Sequence, residues 1–565
     1  INAGVTVKKL TVKGGNLKIY GKVEQLVHDA GNTTIYIIKG TEASLPATID
    51  SKFVVQSDVA VLKTAFANGE DFKLSADADI TGQSVSVPAG KSVVLDLNGY
   101  TLTADNSATG KIIVLGKMTL KDSSTEKKGK IVASQDYTAA SYNGSLIEIA
   151  GEDASMTMES GNISAVRETP DSNGQYGVGV TDGGDFTMTG GKIEAGWFAV
   201  AGNGNYKTQN SIINITDGEL ISTADYAVYL PQSGTTTISG GKVYGAAGGV
   251  CIQRGTLNVE GTALITSKGT GSTGNWGDGT GGLDCAAINV SGAYGIATVN
   301  IKGGTLIAEA KSLITEGTTY TPVINVTGGT FSDPSVLKYM ATNATVDIKL
   351  LSNINIAKTE LATGYILNAA NATANLNLNG HDIINSSETA DATPFTQIFT
   401  VQNGTLNISG NGNVKCDASA TAKDDGYRMV IEARGYGTVN IHGGSYYNTQ
   451  KLNTQIDLIY ARENGKINIY GGTFESGKYG TPNNDTDGRY WVLNLKNTDK
   501  NTASIQVSGG TFINFNPANP NMDDNESYLV TGYEVTRDGS VYTAAHKVGD
   551  GRKEYIVGQT SQENR

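Results

Sequence analysis

The sequence predicts an all-β chain, a parallel β-solenoid of two consecutive modules with short capping helices, and three observations carry that prediction. A strand, a glycine pair and a second strand recur eight times, around Gly14-Gly15, Gly190-Gly191, Gly240-Gly241, Gly303-Gly304, Gly328-Gly329, Gly443-Gly444, Gly471-Gly472 and Gly509-Gly510. Apolar residues alternate with Thr, Asn, Ser and Lys in the strands, as in Val299-Asn-Ile301 and Ile324-Asn-Val326, so one face of each strand is buried. Degenerate copies end at Gly161, Gly218, Gly261 and Gly410, and most steps between successive copies are 20 to 30 residues, one solenoid turn. No helical segment recurs, as leucine-rich or ankyrin units would need. The turns also lack the two-residue Asn-Gly type of antiparallel hairpins, the main structural competitor.

Residues 1–50 hold short strands such as Leu17-Lys-Ile-Tyr20 and Thr34-Ile-Tyr-Ile-Ile38, expected as the end of a preceding solenoid segment or a cap. The best helix follows: Ser57 or Asp58 can cap its start, Val61, Ala65 and Phe66 recur at helical spacing, and Asn68-Gly69 stops it. Such a helix covers the open first rung of a solenoid. Strands at 72–74, 84–87 and 93–102 lead to Leu97-Asn-Gly99. A second copy begins at Pro334, with Leu337-Lys338 and Asn343 spaced as in the first, and reaches Leu378-Asn-Gly380. Module 1 is therefore expected over 51–333 and module 2 over 334–545. The second closes in a terminal hairpin with aromatic alternation between Tyr528 and Tyr542, and a polar tail occupies 546–565.

The 565 residues exceed one ordinary globular core, yet Pro is scarce (10) and no charged or Pro-rich linker interrupts the chain, as an elongated repeat body requires. Net charge is −12 and no basic stripe is present, so nucleic acid is not an expected partner. No apolar run is long enough to span a membrane. The first residue is Ile1, which reads as a trimmed piece of a longer chain. Three cysteines, Cys251, Cys285 and Cys416, are odd in number and lack a CxxC, so they read as small buried hydrophobes; the alternative for Cys251 and Cys285 is an inward-facing ladder in neighbouring coils.

Val93-Val-Leu-Asp-Leu-Asn-Gly-Tyr-Thr-Leu102, Met118-Thr-Leu-Lys-Asp-Ser-Ser124, the Gly-Gly-Thr-Phe units and the closing Ser527-Tyr-Leu-Val-Thr-Gly-Tyr-Glu-Val535 together resemble right-handed parallel β-helix, pectin-lyase-like repeat proteins. Such proteins abound on gut bacteria, and similar modules occur in virion appendages of their phages. The resemblance spans roughly 57–545. It implies a right-handed β-helix and leaves activity open, because that fold carries lyases, hydrolases, adhesins and inert spacers.

A polysaccharide-cleaving site would need carboxylates converging on one face. The acids are scattered, and the nearest local pair, Asp182 and Asp185, sits where a turn is required. Asn483-Asn-Asp485-Thr-Asp487-Gly488 has the oxygen-rich alternation of a calcium loop but lacks the far bidentate acid; Asp485 and Asp487 are the ligands calcium would use, against a plain Asx-rich turn. Met522-Asp-Asp-Asn-Glu526 is a weaker case. His28, His381, His442 and His546 stand singly. No other cofactor is expected.

The interruptions point to recognition. The step from Gly261 to Gly304 stretches to 43 residues and admits a glycine-rich loop with Trp276 and Asp278. Insertions in repeat proteins form loops on one face, which often binds. Trp276 can stack on a sugar or fold back over the coil; the sequence supports both. Arg489, Tyr490 and Trp491 close a similar excursion. The expected function is a non-enzymatic, extracellular or virion-exposed structural or adhesive protein that binds glycans or cell-surface polymers, in a homotrimer or beside further segments of a longer chain. The alternative is a polysaccharide lyase or glycoside hydrolase on the same fold.

Overall fold

The computed structural model describes residues 1–105, 111–135, 144–166, 175–202, 210–272, 282–316, 319–356, 364–385, 395–416, 427–448, 456–476, 490–520 and 527–547. The chain divides into two compact units, Ile1–Tyr339 and Met340–Arg565.

In unit 1 the alternating strands form three parallel sheets. Sheet I has nine strands, from Val85–Val87 to Lys311–Thr315; sheet II has ten, from Phe72–Lys73 to Val323–Val326; sheet III runs from Ala78–Asp79 to Thr330–Phe331. The chain passes I, II, III and back to I, and each strand pairs in parallel with its equivalent one coil later. This is the parallel β-helix, and parallel crossovers of this kind are right-handed in nearly all proteins. Register is kept over many coils: Met158, Met188, Ile215, Ile238, Val259, Ile301 and Val326 form one unbroken inward column. All seven are buried, and so each coil seals the apolar floor of the next.

From Gly190-Gly191 onward the glycine pairs turn the chain from sheet II to sheet III, or between their equivalents in unit 2, and their two members are glycine for different reasons. The second has positive φ, +87° at Gly191 and +103° at Gly472, a region costly for other residues. The first has no such φ, but a Cβ on Gly240 would stand 2.1 Å from the Thr216 carbonyl of the preceding coil. Where the pair is replaced by Asn-Gly, at Asn98-Gly99 and Asn379-Gly380, both residues are left-handed, and Asn is the side chain that best tolerates this.

Helix Val59–Asn68 forms as expected. The Asp58 side chain accepts from the Ala60 N–H at 3.0 Å, and Gly69 ends the helix with φ +80°. Leu62, Ala65 and Phe66 are buried, and the helix packs on Val85–Val87, the edge strand of sheet I. The second start is a 3-10 turn, Pro334–Tyr339, capped by Asp333 through the Ser335 N–H at 2.8 Å.

In unit 2 the equivalents of sheets I and II merge into long bent strands, Tyr365–Asn377, Phe395–Ser409 and Tyr427–Ile441, which change register at the bend. A second sheet carries Ile354–Ile356 through Thr511–Ile513. The hairpin Tyr533–Asp538/Val541–His546 closes it in antiparallel pairing. Tyr446, Phe474 and Phe512 stack in successive coils at 5.0 Å. The cysteines are free and buried. Cys251 stands opposite Asn289 in the next coil, and Cys285 packs in the same cluster without being its rung partner.

Candidate ligand-binding groove

The corner where each coil turns from sheet I into sheet II is short in the later coils of unit 1. At Gly234 a Cβ would meet the Ser211 carbonyl at 2.1 Å, and at Gly255 the Gln232 carbonyl at 2.9 Å; both have positive φ. Backbone therefore lies on backbone, and the corner is hollowed instead of filled. Next comes a longer excursion, Ser291–Ile296, tied to the following coil by the Tyr320 N–H, which donates to the Gly292 carbonyl at 3.2 Å.

The result is an open groove of about 810 Å³ across five successive coils. It is lined by the hydroxyl side chains of Ser211, Ser233, Thr235 and Thr256, by Tyr294 and Tyr320, and by Ile212 and Ile296. Ile296 is 60% exposed, Ile212 47% and Tyr320 46%. With coils ~4.8 Å apart the groove runs roughly 20 Å along the helix axis. Arg254 is the one charged side chain among its described lining residues, and its stem lies over Gly295, where a Cβ would stand 2.9 Å from Cγ and Cδ. These lining residues include no carboxylate, histidine or cysteine. The groove thus offers rings, hydroxyls and one cation for holding a ligand, and no group for acid–base cleavage.

Two other clusters concentrate charge. On sheet I, Glu316, which follows strand Lys311–Thr315, accepts through Oε2 from the N–H of Asp284, which precedes strand Ala286–Val290, at 2.9 Å and from Asn289 Nδ2 at 2.8 Å. Burial, and the neighbouring Asp284 carboxyl, push the Glu316 carboxyl above its usual range despite those bonds. In unit 2, Glu432 is buried (2% exposed) and accepts from Arg462 Nε at 2.6 Å. Burial and Asp457 push the Tyr460 hydroxyl, in the next coil, up to about 12. An ion pair this complete reads as structural neutralisation.

Of the residues singled out from the sequence, those that are described do not line the groove. Trp276, Asp278, Asp485, Asp487 and Arg489 lie outside the described residues. Tyr490 opens strand Tyr490–Leu495, and Trp491, paired with Asp457, is buried at 8% exposure. Asp182 and Asp185 flank a turn, with Asp182 left-handed at φ +52° and Asp185 Oδ1 accepting from the Ile212 N–H of the next coil. The sequence signal for the groove is that Gly234 and Gly255 stand apart from the Gly-Gly units, one corner earlier in their coils. No helix among the described residues is long and apolar enough to cross a membrane, and they contain no group of three His, Cys, Asp or Glu able to hold a metal. No protein-family model, curated protein or solved structure matches this chain.

Proposed function

We propose that this chain is a non-enzymatic structural or adhesive β-helix, extracellular or virion-exposed, whose unit 1 binds a polysaccharide along the corner groove. The observation that carries this is the groove itself: half-exposed tyrosine and isoleucine side chains beside a ladder of serine and threonine, over five coils whose rise is comparable with the length of a pyranose. Aromatic faces stack on sugar rings, and the hydroxyls serve both as donors and as acceptors. A glycan microarray probed with the native chain and with Tyr294→Ala/Tyr320→Ala tests it. Signals lost in the double variant, with its circular dichroism and melting unchanged, support the groove; binding indifferent to both tyrosines, or absent throughout, removes it.

The second reading, a polysaccharide lyase or hydrolase, draws on Glu316, a carboxyl that burial and the neighbouring Asp284 raise above its usual range, the direction a general acid needs. It predicts release of new reducing or unsaturated ends from a bound glycan, abolished in Glu316→Gln.

A further inference from the structure

We infer that the first coil of unit 1 docks, edge to edge, the outer strand of the terminal hairpin of a second copy of this chain. Two strands of that coil are paired on one side only among the described residues: Thr6–Val7 with Lys22–Val23 and Leu10–Val12 with Leu26–His28, each in parallel. The Lys22 and Glu24 N–H groups bond to the Val5 and Val7 carbonyls, and the Leu10 N–H bonds to the Gln25 carbonyl. Backbone groups alternate in direction along a strand, so those of Thr6 and Thr11 point off the sheet. The third strand, Leu17–Ile19, differs. Ile1 lies along its outer edge, donating to the Lys18 carbonyl and accepting from the Tyr20 N–H, both at 2.8 Å. Under the open edge Val12 and Ile19 are buried, while Val7, Leu10 and Leu17 are only half-buried. Elsewhere an edge of this kind is covered: helix Val59–Asn68 packs on Val85–Val87, and the hairpin closes Thr511–Ile513.

Charge complementarity names the occupant. Residues 1–23 hold five lysines and no acid, whereas the remaining chain holds 38 basic against 55 acidic residues. Lys8 and Lys9, between the two open strands, are exposed and make no ion pair among the described residues. Lysines at an edge repel a like edge, so two first coils do not pair with each other, and the complement is an acidic edge. The hairpin supplies one. Tyr533–Asp538 is the last strand of its sheet, paired on one side with Val541–His546. The Lys547 N–H donates to the Gly532 carbonyl at 2.9 Å, and alternation from that bond turns the backbone groups of Val535 and Arg537 outward. Glu534 and Asp538 are exposed and free of ion pairs among the described residues. The one cation of the strand is folded back: Arg537 Nε donates to the Gly539 carbonyl at 2.9 Å, and its guanidinium lies over the Tyr542 ring. Main-chain bonds between the two edges supply attraction, and the lysine–carboxylate pairing selects the partner. The contact joins two different patches, so each added copy presents a fresh patch to the next.

The test is sedimentation velocity of the purified chain over a concentration series, at low and at high salt. The expected result is a sedimentation coefficient that rises with concentration and falls back with added salt. Thr11→Pro and Val535→Pro each delete one outward N–H while leaving the inward bonds in place, and each should weaken association about tenfold. Lys8→Glu/Lys9→Glu and Glu534→Lys/Asp538→Lys should each abolish self-association, and an equimolar mixture of the two should restore it, because every head then meets a tail of opposite charge. A chain that stays monomeric throughout overturns the inference. So does association indifferent to the charge reversals or to Thr11→Pro, which would place the contact on another face, and so does a mixture that fails to associate. Melting curves of each variant separate lost docking from lost fold, and the four charged positions are exposed, so their reversal tests the contact without disturbing the core.

Discussion

Asn440 donates its Nδ2 hydrogen to Oδ1 of Asn407, one coil earlier, at 2.8 Å. The contact is one link of a chain: Asn468 donates to Asn440, Asn407 to Asn375, each at 2.8 Å, and Asn375 to Asp347 at 2.9 Å. Asp347 fixes the direction of them all. An ionised carboxylate can only accept, so Asn375 must turn its Nδ2 toward it, which leaves Oδ1 to receive the next amide.

Polarity makes the chain's response to substitution asymmetric. Asn407→Ala removes two bonds and is expected to cost about 1–2 kcal/mol, read as a fall in the denaturation midpoint of unit 2. Asn407→Asp is expected to be worse at neutral pH, because the introduced carboxylate faces the Asn375 oxygen with no proton to give. That raises its folded pKa, so the loss appears as pH rises through the carboxylate range and vanishes in acid. Asp347→Asn keeps an acceptor and should change little. Equal effects of Asn407→Asp at pH 3 and pH 7 would break the argument.

Asp122, 1% exposed, shows the opposite linkage. Burial alone would raise its carboxyl, but the Ser124 side chain and the N–H groups of Ser124, Gly129 and Gly99 outweigh it and hold the pKa below the usual range. Asp96, one coil earlier, is held down in the same way by Ser123, Asn98 and Lys73. A depressed folded pKa contributes stability above the ordinary unfolded value and loses it as pH falls through the folded one. Asp122→Asn, which turns an amide hydrogen toward a backbone donor, should lower the melting temperature at pH 7 and less so at pH 3. A deficit that does not shrink in acid counts against the assignment.

Glu316 has a raised folded pKa, so it is stabilising while protonated and becomes costly as pH rises above the unfolded carboxylate range. Glu316→Gln is accordingly expected to melt at or above the native temperature at pH 7, with the advantage gone at pH 4. A variant that melts well below native at both values would show the ionised form to be required.

Gly248 has no room for a side chain: a Cβ would lie 1.8 Å from the Tyr226 ring. Gly248→Ala should destabilise by about 1–3 kcal/mol or more, whereas Gly196→Ala, whose nearest neighbour would be 3.8 Å away, should cost a fraction of that. Chemical denaturation of the pair decides it.

Repetition made the fold legible. Alternation placed Val299 and Ile301 inside, the Gly-Gly pairs marked corners, and Asp58 and Gly69 bounded the helix, because each is a local rule with a local cause. The same repetition held the amide ladder in view, since Asn recurs between the same two apolar positions in successive strands, but a strand pattern read singly shows only that Asn points outward. The groove was less visible. It is made by what the short corners at Gly234 and Gly255 leave out, and it joins Ile212, Arg254 and Tyr320, residues dozens of positions apart that only coil register brings to one edge. Trp491 drew notice as an aromatic at the end of an insertion, yet aromatic chemistry alone does not separate a ring that greets a ligand from one that plugs a rung.

The coil register also sets how unit 1 would bear a load. Its strands lie across the helix axis, with the hydrogen bonds between coils directed along it. Tension applied along that axis meets these bonds one after another, as in a zipper, whereas tension along a strand would strain a whole rung at once. Each released coil pays out its own contour, about 75 Å for the 23 residues between Gly218 and Gly241. A solenoid built this way lengthens in discrete steps and keeps its remaining coils folded, so a ligand bound as proposed in the groove would stay held until extension reaches those five coils themselves.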